Sequence, residues 1–297
     1  MGIPEGQLDT WSKQGSVTQS ASTYSSVKGV LDDDGSPYYQ RDFDNFLQGS
    51  YGNDTNIYAD SDVDIVMRLK SVYYSDTSLL EPDDLARYER AFVKASYSLS
   101  EFKSEVLAWL KKGFGEGVKA GKKAIYVPGN QYRRDADVLP CAQHRWYTSY
   151  PEHGGPSYHE GIMFETADGK RIVNYPKQHS ANSTTKHQNT AGYFKPAVRI
   201  IKNMRNRMKA DGLIEDGLAP SYFIEGLLSN VPDRLYGRSY ESTMVNAINF
   251  IQQTDDKSQW TCANGIHWLL RDGFPTSWPP ANYQRFMREL VSYWNKW

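Results

Sequence analysis

Residues 15–31 place Val17, Ala21, Tyr24, Val27 and Leu31 at helical spacing, and the polar run DDDGSP then stops the pattern, which predicts a first long helix. Residues 43–47 read as a helix-like segment leading into GSYGNDTNIYADS, a loop of small and polar residues over 49–61. In SDVDIVMRL the residues Val63, Ile65, Met67 and Leu69 alternate with other types, the period of a half-buried strand. Residues 82–113 predict two helices, the first with Leu85, Tyr88 and Phe92 on one side, the second with Phe102, Val106 and Leu110. Two strands follow, AIYVPG over 124–129 and ADVLPCA over 136–142, and then Asp168-Gly169 sits between two β-rich arms as a hairpin signal. The sheet is expected to be mixed or antiparallel here. After a polar connector over 179–189 the pattern turns helical over 195–210, 221–228, 239–253 and 282–297. The expectation is an α+β fold: a mixed-sheet lobe with its N-terminal helix over 1–185, and a helical lobe over 186–297.

Composition narrows the function classes. A chain of 297 residues with 39% hydrophobic content can fill a sizeable core. Its 34 basic and 35 acidic residues leave no global positive field, so a protein that coats long nucleic acid is disfavoured. Cys141 and Cys262 lie in apolar or aromatic stretches without metal-ligand spacing, as buried thiols in a reducing compartment would. No apolar run approaches the ~18 residues of a membrane span, and the start carries no secretory signal pattern, so a soluble cytoplasmic protein is expected.

Asp62 and Asp64 carry the first chemical signal. Two residues apart on a strand, their carboxylates leave the same face and repel unless a cation lies between them. Mg²⁺ takes such hard oxygen ligands together with substrate phosphates. Upstream, Gly49 permits close backbone approach, and the Ser50 hydroxyl with successive N–H groups suits phosphate oxygens. A third carboxylate is available at Asp135 or Asp137, which share strand parity, so parity leaves the choice open. Lys195, Arg199 and Lys202, at offsets of four and three, put three cations on one helical face, which suits a triphosphate. Ser221 and Tyr222 open a helix after Pro220; the serine suits a cap or a phosphate, the tyrosine a core position or a base-stacking platform. The six histidines show no metal pair with a third ligand, and His179 falls in the polar connector as a possible nucleotide contact.

The composite of Gly-Ser, a short loop and Asp-x-Asp among β-formers resembles the signature of the polymerase β-like nucleotidyltransferases. With TQSASTYSSVKGVL, ADVLPCA, VRIIKNMRN and SYFIEGLL, it resembles more narrowly the bacterial cyclic-oligonucleotide synthases of anti-phage signalling operons, relatives of animal cyclic GMP-AMP synthase and oligoadenylate synthetase. The resemblance runs from about residue 18 to the last. It implies a bilobed enzyme with its active-site cleft between the lobes. The family's apolar pattern after the third aspartate, here Val138-Leu139-Pro140, selects Asp137 over Asp135. Asp62, Asp64 and Asp137 would then be catalytic ligands of two Mg²⁺ ions, with Mn²⁺ as a substitute. Gly49 and Ser50 would form the phosphate loop, Lys202 and Ser221 would contact the triphosphate, and Tyr222 would stack on the base. The implied substrates are nucleoside triphosphates, ATP or GTP among them, and the implied product is a cyclic di- or trinucleotide that activates a downstream effector. The zinc-binding insertion that senses duplex DNA in the animal enzyme has no counterpart among two distant cysteines. Two competing readings are an RNA-tailing, small-molecule or protein nucleotidyltransferase of the same superfamily, and a non-catalytic nucleotide-binding module.

Overall fold

The computed structural model describes residues 2–15, 17–58 and 62–297; the last three residues of the expected loop, 59–61, lie outside the described residues. In chain order the elements are α1 (Glu5–Ser12), α2 (Thr18–Leu31), β1 (Phe43–Leu47), α3 (Gly49–Gly52), β2 (Val63–Asp76), α4 (Pro82–Ala91), α5 (Leu99–Phe114), β3 (Lys119–Ala120), β4 (Ile125–Val127), β5 (Ala136–Ser149), β6 (Ser157–Glu165), β7 (Arg171–Asn174), α6 (Pro176–Asn189), α7 (Phe194–Ala210), α8 (Ser221–Ser229), α9 (Tyr240–Gln253) and α10 (Pro280–Asn295), with a single 3₁₀ turn at Asp233–Leu235. The α+β architecture with a mixed sheet is the one expected.

The chain forms two compact units, each assembled from separated segments. One comprises residues 18–47 and 61–175, the other residues 1–17, 48–60 and 176–297. The expected division at 185/186 differs from this, because that point falls inside α6. The N-terminal α1 packs with α7 and α9, and the short helix α3 after β1 packs with α8.

In the sheet unit the central pair is β2 and β5, parallel, with Asp64 opposite Asp137 and Val66 opposite Leu139. A parallel pair needs a crossover, and α4 and α5 lie in the connection. Strand β1 runs antiparallel to β2, with Phe43 opposite Leu69. Residues 43–47 are therefore a strand and not a helix-like segment: five residues are too few for helical periodicity to declare itself, and pairing with β2 supplies their hydrogen bonds. Strand β5 serves two neighbours in turn along its other edge, β4 near Ala136 and β6 from Ala142 onward. Strands β6 and β7 form the expected hairpin, although the connection spans residues 166–170 and only Gly169 takes a left-handed φ, of 79°. Pleating puts Val63, Ile65, Met67 and Leu69 on one face of β2, all fully buried. Asp64, Val66 and Arg68 share the other face, where Val66 packs with Leu139, Cys141, Ile162, Phe164 and Ile172. Arg68 is buried there on carboxylates from two other strands, bidentate to Asp44 at 2.7 and 2.8 Å and joined to Glu160 at 2.5 Å. Helix α5 starts at a capping box between Ser98 and Glu101.

In the helical unit α7 is the axis of the core, burying Phe194, Ala197, Val198, Ile200, Ile201, Met204 and Met208 among α1, α8, α9 and α10. The polar connector over 179–189 is helical in the structure, as part of α6. Its apolar content is too low to show a stripe and its Ser, Thr and Asn are weak helix formers, so packing against α7 and α8 forms it. Trp278 is fully buried, stacks on Phe223 at 5.8 Å and donates its indole N–H to Leu218 O at 2.9 Å. Truncating this side chain leaves a cavity the helices cannot close. Trp278→Ala is expected to cost about 3–5 kcal/mol of unfolding free energy by chemical denaturation, and Trp278→Phe clearly less.

Candidate active site

The carboxylate end of the site is built by sheet register. Asp64 and Asp137 are direct neighbours on β2 and β5, so their side chains leave the same face. Asp62 precedes β2 and, with Asp135, exerts a charge effect on Asp137. Burial pushes the Asp137 carboxyl above its usual pKa, and repulsion from Asp62 and Asp135 adds to the rise. The sequence could not separate Asp135 from Asp137 by parity; the structure gives them different surroundings. Asp135 accepts the Gly129 N–H at 2.6 Å and closes the turn between β4 and β5, whereas Asp137 faces Asp64. Tyr126, opposite Asp137 on β4, was not singled out by the sequence. Its hydroxyl is bonded to Asp135, and with the charges of Asp62 and Asp137 this raises its pKa.

These donors fit a divalent magnesium ion. All are hard oxygens, and they crowd where mutual repulsion is already felt. Among the described residues no three His, Cys, Asp or Glu side chains are drawn into a ready-made metal cluster. Mg²⁺ commonly takes one or two protein carboxylates and completes its shell with phosphate and water.

The phosphate-loop candidates lie in the helical unit. Gly49 adopts a left-handed φ of 62°, a conformation that suits glycine, and Ser50 occupies the single turn α3 that follows. Asp54 is also left-handed, with φ 54°. The three cations of α7 hold this segment. Lys195 pairs with the Asp54 carboxylate at 2.9 Å. Arg199 donates to Asp54 O at 2.7 Å and to Ser12 O at 2.5 Å. Lys202 donates to Ser50 Oγ at 2.8 Å and to Thr55 O at 3.0 Å. The expected cationic face is thus turned inward, with Lys202 fully buried, because the backbone carbonyls of the segment are acceptors that need donors. In this arrangement Lys202 meets the loop at Ser50, the other triphosphate candidate.

Helix α8 carries the remaining candidates. Ser221 makes no cap bond; its Oγ accepts from Arg205 at 3.2 Å. Tyr222 is half-buried, its hydroxyl accepting from Asn264 Nδ2 at 3.0 Å and lying 3.4 Å from His267 Nδ1. One side of its ring is covered by His179, with centroids 5.1 Å apart and planes at 33°. His179 lies on α6 and is buried against Glu225, at 2.5 Å. Glu225 was not anticipated, although a lone carboxylate inside the apolar run SYFIEGLL is itself a sign that a buried partner must exist. Both cysteines are buried and free, as expected.

Known proteins place this arrangement. Residues 181–295 match the family described as the cGAS/DncV-like nucleotidyltransferase C-terminal helical domain. The cyclic UMP-AMP synthase of Rhodothermus marinus is 36% identical over 299 residues, covering 100% of this chain and 99% of that protein. A solved structure of the enzyme from that species, with Apcpp and Upnpp, superposes with a TM-score of 0.88 over 99% of this chain and 97% of that one. The cyclic dinucleotide synthase of Elizabethkingia meningoseptica, solved with GTP and Apcpp, is 31% identical with a TM-score of 0.79 and 98% coverage of both chains. A cyclic dipyrimidine nucleotide synthase of Legionella pneumophila is 35% identical over 293 residues, 96% of each chain. The fold and these likenesses define a nucleotidyltransferase. More narrowly, the chain belongs to the cGAS/DncV-like nucleotidyltransferases, the bacterial cyclic-oligonucleotide synthases that join nucleoside triphosphates into cyclic products.

The raised Asp137 carboxyl carries a stability consequence. An acid whose folded pKa lies above its unfolded value opposes folding once the pH exceeds the unfolded value and both states ionise. Asp137→Asn is expected to raise the melting temperature of the metal-free protein at pH 7, measured by scanning calorimetry. An unchanged or lower value would show that the crowding is not felt.

Proposed function

We propose that the chain joins ATP and a pyrimidine nucleoside triphosphate into a cyclic dinucleotide, releasing pyrophosphate, and that Asp62, Asp64 and Asp137 are its catalytic carboxylates. The observation that carries the site assignment is the register that sets Asp64 beside Asp137 on adjacent parallel strands. The base choice follows the Rhodothermus marinus likeness, whose synthase is named for UMP and AMP and whose fold matches with a TM-score of 0.88. The product would act on a downstream effector in the cytoplasm, in anti-phage signalling. No described helix is long and apolar enough to cross a membrane.

The residues divide the work as follows. Asp62, Asp64 and Asp137 would hold two Mg²⁺ ions, with Mn²⁺ able to substitute. When bound, these ions neutralise phosphate charge and lower the pKa of the attacking ribose hydroxyl. Asp137 stands in register beside Asp64, where it would help hold the ion that activates the hydroxyl. Gly49 and Ser50 contact the triphosphate through the Ser50 hydroxyl and the N–H groups at the start of α3. Lys202 holds Ser50 for that contact. Ser221 stands beside Arg205 at the opening of α8, where a further phosphate oxygen can be met. Tyr222 presents its ring to the base, the hydroxyl anchored by Asn264.

Replacing both Asp62 and Asp64 with Asn should leave the fold intact and abolish pyrophosphate release in Mg²⁺, since the ligands lose charge and little volume. Retained turnover would refute the carboxylate assignment. Mass spectrometry of the product from an equal mixture of four nucleoside triphosphates reads the bases directly. A product containing guanosine would overturn the base choice and leave the transfer chemistry standing. For the stacking platform, Tyr222→Ala is expected to weaken nucleotide binding roughly tenfold and Tyr222→Phe much less, by isothermal titration. Equal losses from the two would argue against stacking.

A further inference from the structure

The helical unit contains a charged group that the proposed chemistry does not touch. Glu225 is 2% exposed, in the middle of the apolar face of α8 between Ile224 and Leu227. A carboxylate there is costly unless each lone pair is met, and an apolar side chain of similar size would often serve stability as well or better. Its partners are specific. Oε1 accepts the hydroxyl of Thr55, and Oε2 accepts Asn53 Nδ2 at 2.9 Å and faces His179 Nε2 at 2.5 Å. Both loop partners are bonded by their own backbone to the residues that would contact phosphate. Asn53 N–H donates to Gly49 O at 3.1 Å, and Thr55 N–H donates to Ser50 O at 2.9 Å. In the other direction Glu225 lies one turn beyond Tyr222 on α8, and His179 packs its ring against that of Tyr222. One buried carboxylate is therefore bonded to the loop that follows Gly49 and Ser50, and to the histidine that covers the candidate base platform.

We propose that Glu225 is a positioning residue for nucleotidyl transfer: through Asn53 and Thr55 it sets the Gly49–Ser50 loop, and through His179 it sets Tyr222, so the triphosphate and the base of one nucleotide meet a single rigid frame. This rests on the roles given above to Gly49, Ser50 and Tyr222. Burial acts to raise the Glu225 pKa, but the bonds and charge of His179, the bond from Thr55 and the charge of Lys202 outweigh it and leave the carboxyl below its ordinary value. The frame therefore keeps its negative charge at neutral pH.

A double-mutant cycle between Glu225→Gln and Thr55→Val tests the role, reading the Kd of a non-hydrolysable triphosphate, KM, kcat and the melting temperature. Gln keeps the shape and loses the charge; Val keeps the shape of Thr and loses the hydroxyl bond. Each single variant is expected to raise Kd and KM roughly tenfold, the scale of one hydrogen bond to a charged group. The double variant should be no more than about twofold worse than Glu225→Gln, because both changes break the same link. A residue that only supported the fold would lower the active fraction, and so kcat, with KM unchanged. Fully multiplicative losses, or wild-type KM in a folded Thr55→Val protein, would overturn the proposal. If Glu225→Gln melts below the assay temperature, Asn53→Ala and Thr55→Val decide it together: both must weaken binding in folded protein, or the role is lost. Turnover that survives in the Asp62→Asn, Asp64→Asn protein would instead remove the underlying catalytic reading, whatever Glu225 does.

Discussion

The helical unit depends on holding a chain segment that has little core of its own. Residues 48–58 are rich in glycine, asparagine and polar side chains, and two of them, Gly49 and Asp54, sit in left-handed conformations that cost energy to maintain or require a special residue. What fixes them is a set of buried charges on neighbouring helices: Lys195, Arg199 and Lys202 from α7 and Glu225 from α8. Hydrogen bonds to charged groups are about twice as strong as neutral ones, and in a dry interior they are directional enough to select one backbone path. The apolar side of α7 supplies the driving force for the helical core, while its cationic side supplies the shape of the loop. Gly15 adds a steric limit: a side chain there would stand 2.5 Å from Ile57 C and O, so the approach of the two backbones is open only to glycine.

The sheet unit solves the opposite problem. There like charges are brought together, not opposite ones, and the strands provide the rigidity that keeps them so. Buried apolar residues flank Asp137 on β5, hydrogen-bonded register holds it beside Asp64, and burial together with the charges of Asp62 and Asp135 raises its carboxyl pKa. The unit thus carries an electrostatic cost in the free protein that a bound cation would cancel. Stability given up at a site in this way is a common consequence of building for chemistry.

Legibility in the sequence followed the strength of local signals. Asp62, Asp64 and the strand that carries Asp64 were readable because alternation over 63–69 fixes which face each side chain takes, and α5, α7, α8, α9 and α10 were readable because each has an apolar stripe of three turns or more, or a clear start signal. Helix α6 was not, since PKQHSANSTTKHQN offers almost no apolar residue to mark a face. Strand β1 was too short for its period to show. The direction of the α7 cations was not legible for a related reason: offsets of four and three establish that Lys195, Arg199 and Lys202 share a face, but not whether that face meets water or backbone carbonyls.

By itself, then, the sequence determined the residue types and their local periodicity: carboxylates two apart on a strand, a glycine and serine able to approach phosphate, cations on one helical face, and an aromatic residue at a helix start. Those depend only on covalent spacing and backbone geometry within a few residues. Tertiary structure alone decided that Asp137 lies in register beside Asp64 while Asp135 closes a turn, that the cations of α7 point inward onto the loop, and that Glu225 and His179 meet at all. Each of those outcomes depends on segments far apart in the chain being brought within hydrogen-bonding distance, 46 residues in the case of His179 and Glu225 and 152 in that of Ser50 and Lys202. Hydrogen bonding and desolvation act over a few ångströms of space and take no account of separation along the chain, so no local pattern could have announced them.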